Sequence, residues 1–155
     1  MGRVAERLAQ LSVTLPEVAA PVGAYVPALR DGDHVLTSGQ LPFVGGELPV
    51  TGLVGAEVSA EQAADLARTC TINALAAVAS VLDGDLDRVE QVVKVVGFVA
   101  SAPGFGGQPG VLNGASRLLG EVFGDAGVHA RSAVGVAALP LGASVEVELT
   151  VRVRD

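Results

Sequence analysis

Residues 131–153 read RSAVGVAALPLGASVEVELTVRV, and the alternation at the end of this stretch decides the fold. Val145, Val147, Leu149, Val151 and Val153 fall on one parity, and Ser144, Glu146, Glu148, Thr150 and Arg152 on the other. Successive side chains of a strand point to opposite faces, so Ser144–Arg154 reads as a strand with one buried and one polar face. Arg131–Leu139 reads as the strand before it, with Pro140–Ala143 turning the chain between the two.

Moving toward the N-terminus, Pro109–Phe123 carries Val111, Ala115, Leu118 and Val122 at helical spacing, widened by Leu112, Leu119 and Phe123, and Gly124 ends it. Gln91–Ala100 is a strand. Simple alternation sends Val92, Val96 and Phe98 one way and Val93, Val95 and Val99 the other, so both of its faces should be covered. The clearest helix starts at Ser59, which has capping-box spacing to Gln62. Its apolar stripe is Ala63, Leu66, Ala67, Cys70, Ala74, Leu75, Val78 and Leu82, and Gly84 stops it. Pro42–Gly55 reads as loops with at most one short edge strand. Tyr25–Leu29 and His34–Ser38 read as a hairpin about Arg30-Asp31-Gly32-Asp33. Arg3–Leu11 reads as a short amphipathic helix, and Thr14–Pro21, with prolines at 16 and 21, as an extended connector.

Two long helices cannot cover both faces of such a sheet. The expected architecture is a single α+β domain over residues 1–155, a two-layer sandwich with both helices on one face. The remaining face needs a cover, which a second copy of the chain supplies most simply.

Half of the 155 residues are apolar and 17% are charged, enough for a packed core. The net charge of −7 and the scattered ten Lys and Arg argue against a nucleic-acid partner, which requires clustered cations. The longest apolar run, Ile72–Leu82, is too short to span a bilayer. The start of the chain has no secretory h-region, and one cysteine allows no internal disulfide, so a cytoplasmic location is expected. His34 and His129 lack metal-ligand spacing, and Ser38 and Ser132 lack triad partners, so neither a metal nor a serine nucleophile is expected. Cys70 reads as a buried small hydrophobe.

Four segments carry a family pattern. Arg131–Pro140 followed by Val145-Glu146-Val147-Glu148 resembles the C-terminal signature of the RidA/YjgF family of reactive-intermediate deaminases. Pro21–Tyr25 looks like that family's Gly-Pro-Tyr segment, Ser38-Gly39-Gln40-Leu41-Pro42 like its Ser-Gly-Gln turn, and Asn113 like the Asn opening its second long helix. The likeness covers residues 20–155, with residues 1–20 resembling the extension of a divergent branch. It implies a chorismate-mutase-like mixed sheet, assembly as a homotrimer with clefts between subunits, and no cofactor. The implied activity is hydrolysis of enamines and imines such as 2-aminoacrylate to 2-oxo acids and ammonia.

By resemblance, Arg131 clamps the substrate carboxylate with its planar fork, and Glu146 positions and polarises the attacking water as the catalytic group. Tyr25, Ser38, Gly39, Asn113 and Ala133 shape the cleft. Read without the family, Arg131 reads as a surface or interface ion-pair residue, Glu148 as part of a solvated strand face that Glu146 could share, Tyr25 could be a packed aromatic and Asn113 a solvent-facing or early-turn polar residue. If the last two strands form a hairpin, Arg131 and Glu146 lie a few rungs apart, but a slip of one residue would put them on opposite faces. This chain departs from the family pattern at His129 (usually Pro), Ala133 (usually Cys) and Ala24 (usually Pro). A non-catalytic carboxylate-binding or regulatory protein using the same cleft is the alternative, and a ribonuclease is disfavoured by charge.

Overall fold

The computed structural model describes residues 2–18, 20–21 and 23–155. In chain order the elements are α1 (Arg3–Gln10), β1 (Ala28–Asp31), β2 (His34–Thr37), α2 (Ala60–Ser80), β3 (Val89–Ala100), α3 (Gln108–Phe123), β4 (Ala130–Val136) and β5 (Val145–Val153). The five strands form one mixed sheet in the order β1-β2-β5-β3-β4, with β3–β4 its parallel pair. The helices α2 and α3 pack on one face of it, giving the expected two-layer α+β sandwich.

Local chemistry accounts for most of these elements. At the start of α2, the Ser59 Oγ accepts from the Gln62 amide at 3.1 Å, and the Gln62 side chain accepts from the Ser59 amide at 3.0 Å. The complete capping box thus satisfies two amides that the helix leaves orphaned. Every residue of the α2 and α3 stripes is buried, as are all five apolar residues of β5. Where the helices come closest, Gly114 lies so near Ala64 that a Cβ would sit 2.0 Å from its carbonyl oxygen. On α1, Val4 and Leu8 face the core, and Asp87 Oδ1 accepts from the Val4 amide at 3.1 Å. Gly32, at φ +62°, opens the two-residue turn between β1 and β2.

The strand order corrects the hairpin reading of the C-terminal third. β4 and β5 are not neighbours, because β3 lies between them. The crossover through α3 delivers β4 parallel to β3 on the far edge, as a strand–helix–strand connection does. The eight residues from 137 to 144 then carry the chain over β3 to the sheet centre. β4 ends at Val136 because its ladder partner ends at Ala100.

A register shift between Val92 and Lys94 corrects the parity of β3. This bulge rotates Val92 onto the helix-covered side with Val95 and Val99, all three buried, and leaves Val96 and Phe98 on the other side. The first strand starts at Ala28 rather than Tyr25, since Pro27 has no amide to give a ladder. In the 42–55 segment isolated bridges replace the expected edge strand, among them Val54 with Ser101.

The sheet face away from the helices carries Leu29 and Leu36 of β1 and β2, Val96 and Phe98 of β3 and Val134 of β4. Leu29, Leu36 and Val134 are 59%, 44% and 45% exposed in the single chain. On this face the central strand β5 shows Glu146, Glu148 and Thr150, so the apolar residues form two patches, one on either side of it, of the kind that association buries.

Candidate functional site

The site residues fall into two groups on opposite faces of the sheet. Arg131 pairs with Val95, which pairs with Leu149, and both partners are buried beneath the helices. Glu146 pairs with Phe98, which pairs with Val134, on the uncovered side. Arg131 and Glu146 of one chain therefore do not share a face, which settles the alternative that the sequence left open.

On the helix side, α3 presents three acceptors to Arg131. Its Nη1 donates to Asn113 Oδ1 at 2.9 Å and to Ser116 Oγ at 3.1 Å, and its Nη2 donates to the Pro109 carbonyl at 3.2 Å. A guanidinium has five N–H donors, so two remain for the two oxygens of a carboxylate. Among the described residues no carboxylate lies within ion-pair distance of Arg131, so its charge is held in place by neutral acceptors and not cancelled. Ser116 in turn contacts His129 Nε2 at 2.8 Å, and His129 Nδ1 contacts the Gly127 carbonyl at 2.6 Å. Ala133, two residues along β4 from Arg131, packs partly buried against the core.

On the other side a break in the β2–β5 ladder shapes the surroundings of Glu146. Leu36 pairs with Thr150, and pairing resumes at Gln40 with Val147, so one extra residue bulges from the 37–39 segment. The Thr37 hydroxyl takes over the Leu149 amide at 3.0 Å. Ser38 does not line the cavity here. Its amide donates to the Pro27 carbonyl at 2.8 Å and its hydroxyl to the Val26 carbonyl at 2.6 Å, fixing the segment that carries Tyr25. Gly39 faces Glu146 so closely that a Cβ would lie 2.1 Å from Oε1. A cavity of about 290 Å³ opens beside them, lined by Pro21, Tyr25, Gly39, Leu41, Phe43 and Glu146 among others.

Burial, and secondarily the neighbouring Glu148, pushes the Glu146 carboxyl above the ordinary carboxylate range. Burial also raises the Cys70 thiol, with Glu146 adding to the effect, so Cys70 is a neutral core group that donates to the Val145 carbonyl at 3.5 Å.

Tyr25, Gly39 and Glu146 thus meet at one cavity, and Asn113 meets Arg131 on the opposite face. The sequence reading missed Ser116 and the Pro109 carbonyl. Pro109, Asn113 and Ser116 stand at i, i+4 and i+7, one face of α3, and that spacing was the signal available.

The chain matches the family model described as "YjgF/chorismate mutase-like, putative endoribonuclease" over residues 5–152. The chain belongs to the RidA/YjgF family. Among relatives of this family, it is 45% identical to Protein TCP17 of Trypanosoma cruzi, over 99% of this chain and 96% of that protein. The structure of Atu1372, a protein of unknown function from Agrobacterium tumefaciens, superposes with a TM-score of 0.91 at 45% identity, covering 98% of this chain and 93% of that one. The structure of E. coli TdcF with bound serine superposes with a TM-score of 0.65 at 25% identity, covering 92% of this chain and 96% of that one. Among the described residues no helix is long and apolar enough to cross a membrane.

Proposed function

We propose that this protein hydrolyses imines and enamines derived from amino acids to 2-oxo acids and ammonia, in the cytoplasm, at sites completed between copies of a homotrimer. The observation that carries the reading is Arg131: a guanidinium oriented by three neutral acceptors, with two donors unspent among the described residues. A small anion with two coplanar oxygens matches those donors. The serine bound to TdcF is a ligand of that kind in a relative.

The second half of the chemistry comes from Glu146. Since it lies on the face opposite Arg131, the Glu146 that meets a clamped substrate belongs to a neighbouring copy, docked through the uncovered sheet face that carries the exposed Leu29, Leu36 and Val134. An enamine first tautomerises to the imine. Water then attacks the imine carbon, and Glu146 takes a water proton as the C–O bond forms. A carboxyl held above the ordinary range is a stronger base than a free one. Glu146 passes that proton to nitrogen, giving the carbinolamine; it then takes the carbinol O–H proton and delivers it to nitrogen as the C–N bond breaks, so that ammonia leaves with the bonding pair and the carbinol oxygen becomes the 2-oxo group.

The test is release of 2-oxo acid and ammonia from imines generated in solution by an amino-acid oxidase. The reading predicts a rate above buffer that Arg131→Ala abolishes. A rate equal to buffer across several imines contradicts it. Ala133, where relatives usually carry Cys, favours a second reading, a binder of 2-oxo acids without turnover. That reading predicts thermal stabilisation by 2-oxo acids and no ammonia.

A further inference from the structure

The contacts beyond Arg131 form a chain with a definite direction. The Gly127 carbonyl can only accept, so the 2.6 Å contact places a proton on His129 Nδ1. A neutral ring then has a bare Nε2, which must accept. The hydrogen in the 2.8 Å contact with Ser116 is therefore the serine's own. With that proton committed, the Ser116 lone pairs are left to face Arg131 Nη1 at 3.1 Å. Each link is satisfied in one sense: Arg131 donates to Ser116, Ser116 to His129, and His129 to Gly127. The far end is rigid, because Gly127 is buried and lies so close to α3 that a Cβ would sit 2.2 Å from the Leu119 carbonyl oxygen.

We propose that Ser116 and His129 are positioning residues that set the rotation of the Arg131 fork toward the incoming carboxylate. Asn113 and Pro109 hold the guanidinium at two points, and the relay supplies the third from a fixed carbonyl on another element. Three acceptors on one planar group leave it one orientation, so its remaining donors are aimed before the ligand arrives. This inference rests on the carboxylate-clamp reading of Arg131.

The test uses the full chain, pyruvate as probe and calorimetric titration. Ser116→Ala is expected to weaken pyruvate binding about tenfold, as loss of a hydrogen bond to a charged group does, while Ser116→Thr, which keeps the hydroxyl, stays near wild type. In the deamination assay Ser116→Ala should raise KM with little change in kcat. Nitrogen-15 NMR of the His129 ring should report the Nδ1–H tautomer. If Ser116→Ala binds pyruvate as tightly as wild type while Arg131→Ala does not bind, the relay is a structural tie only; the inference is overturned and the clamp stands. An Nε2–H tautomer also overturns it. If the wild type binds no pyruvate, clamp and inference fall together, a result marked by Arg131→Ala being indistinguishable from wild type.

Discussion

Replacing Gly39 by Ala should separate the site from the fold. A Cβ at position 39 would stand 2.1 Å from Glu146 Oε1, 2.7 Å from its Cδ and 3.0 Å from its Cγ. Ordinary contact begins near ~3.5 Å, so the carboxylate must retreat by more than about 1 Å. It can do so by rotating, because the clashing atoms end a flexible side chain with solvent on one side. A displacement of about 1 Å in a catalytic group costs about a hundredfold in rate. The fold should hardly notice. Gly39 does not need a positive φ, and the entropy an Ala removes from the unfolded chain is worth about 0.4–1 kcal/mol in favour of folding. Gly114→Ala is the control. Its Cβ would meet the Ala64 backbone oxygen at 2.0 Å, where nothing can rotate away, and α2 and α3 must part at a cost of about 1–3 kcal/mol. The assay is ammonia release from generated imines, beside thermal melts of both variants. Gly39→Ala should lose about two orders of magnitude in kcat with Tm within about 3 °C of wild type, while Gly114→Ala should melt several degrees lower. The reasoning is refuted if Gly39→Ala turns over at the wild-type rate, or if it melts as early as Gly114→Ala.

Three further outcomes follow from the same geometry. Glu146→Gln should be more thermostable than wild type at pH 8. A carboxyl whose folded value is raised contributes its stability in full below the ordinary value near ~4.3 and loses it as pH rises through the raised one. The difference should therefore close on acidification through that window, and equal melts at every pH would contradict it. Arg131→Lys should lose pyruvate binding despite keeping its charge, because the three donors of an ammonium are all claimed by Asn113, Ser116 and Pro109; titration calorimetry showing wild-type affinity would count against the fork. Ser59→Ala removes the capping box of α2 and should cost about 1 kcal/mol, read as a fall in Tm of about 2–4 °C, with pyruvate binding unchanged.

What could be read in the sequence was set by local chemistry. Ser59 and Gln62 lie three residues apart and close one helix start by themselves, and the alternation of Val145–Val153 needs no partner strand to be seen. The neighbours of that strand were not legible. β3 lies between β4 and β5 because α3 sets β4 on the outer side of β3 and residues 137–144 then return the chain over β3, and such pairing is settled by tertiary packing over long sequence separations. The bulge at Val93 likewise leaves no mark in a run of valines, yet it decides which of them face the helices. In the site, Arg131 and Glu146 stood out as residues, but their opposite faces depended on that strand order. Ser116 and His129 were harder still, since thirteen positions separate them and only the turn at Gly127 brings them together.

The claim on which the mechanism stands is that Arg131 and Glu146 act from different copies. Arg131→Ala and Glu146→Gln chains should each be inactive alone. Unfolded together in equal amounts and refolded, they should recover roughly a quarter of wild-type deamination, the share of randomly formed seams in a closed ring that receive an intact Arg131 from one copy and an intact Glu146 from the next. A mixture as inactive as its parents, with mixed oligomers verified by mass spectrometry, would contradict the account.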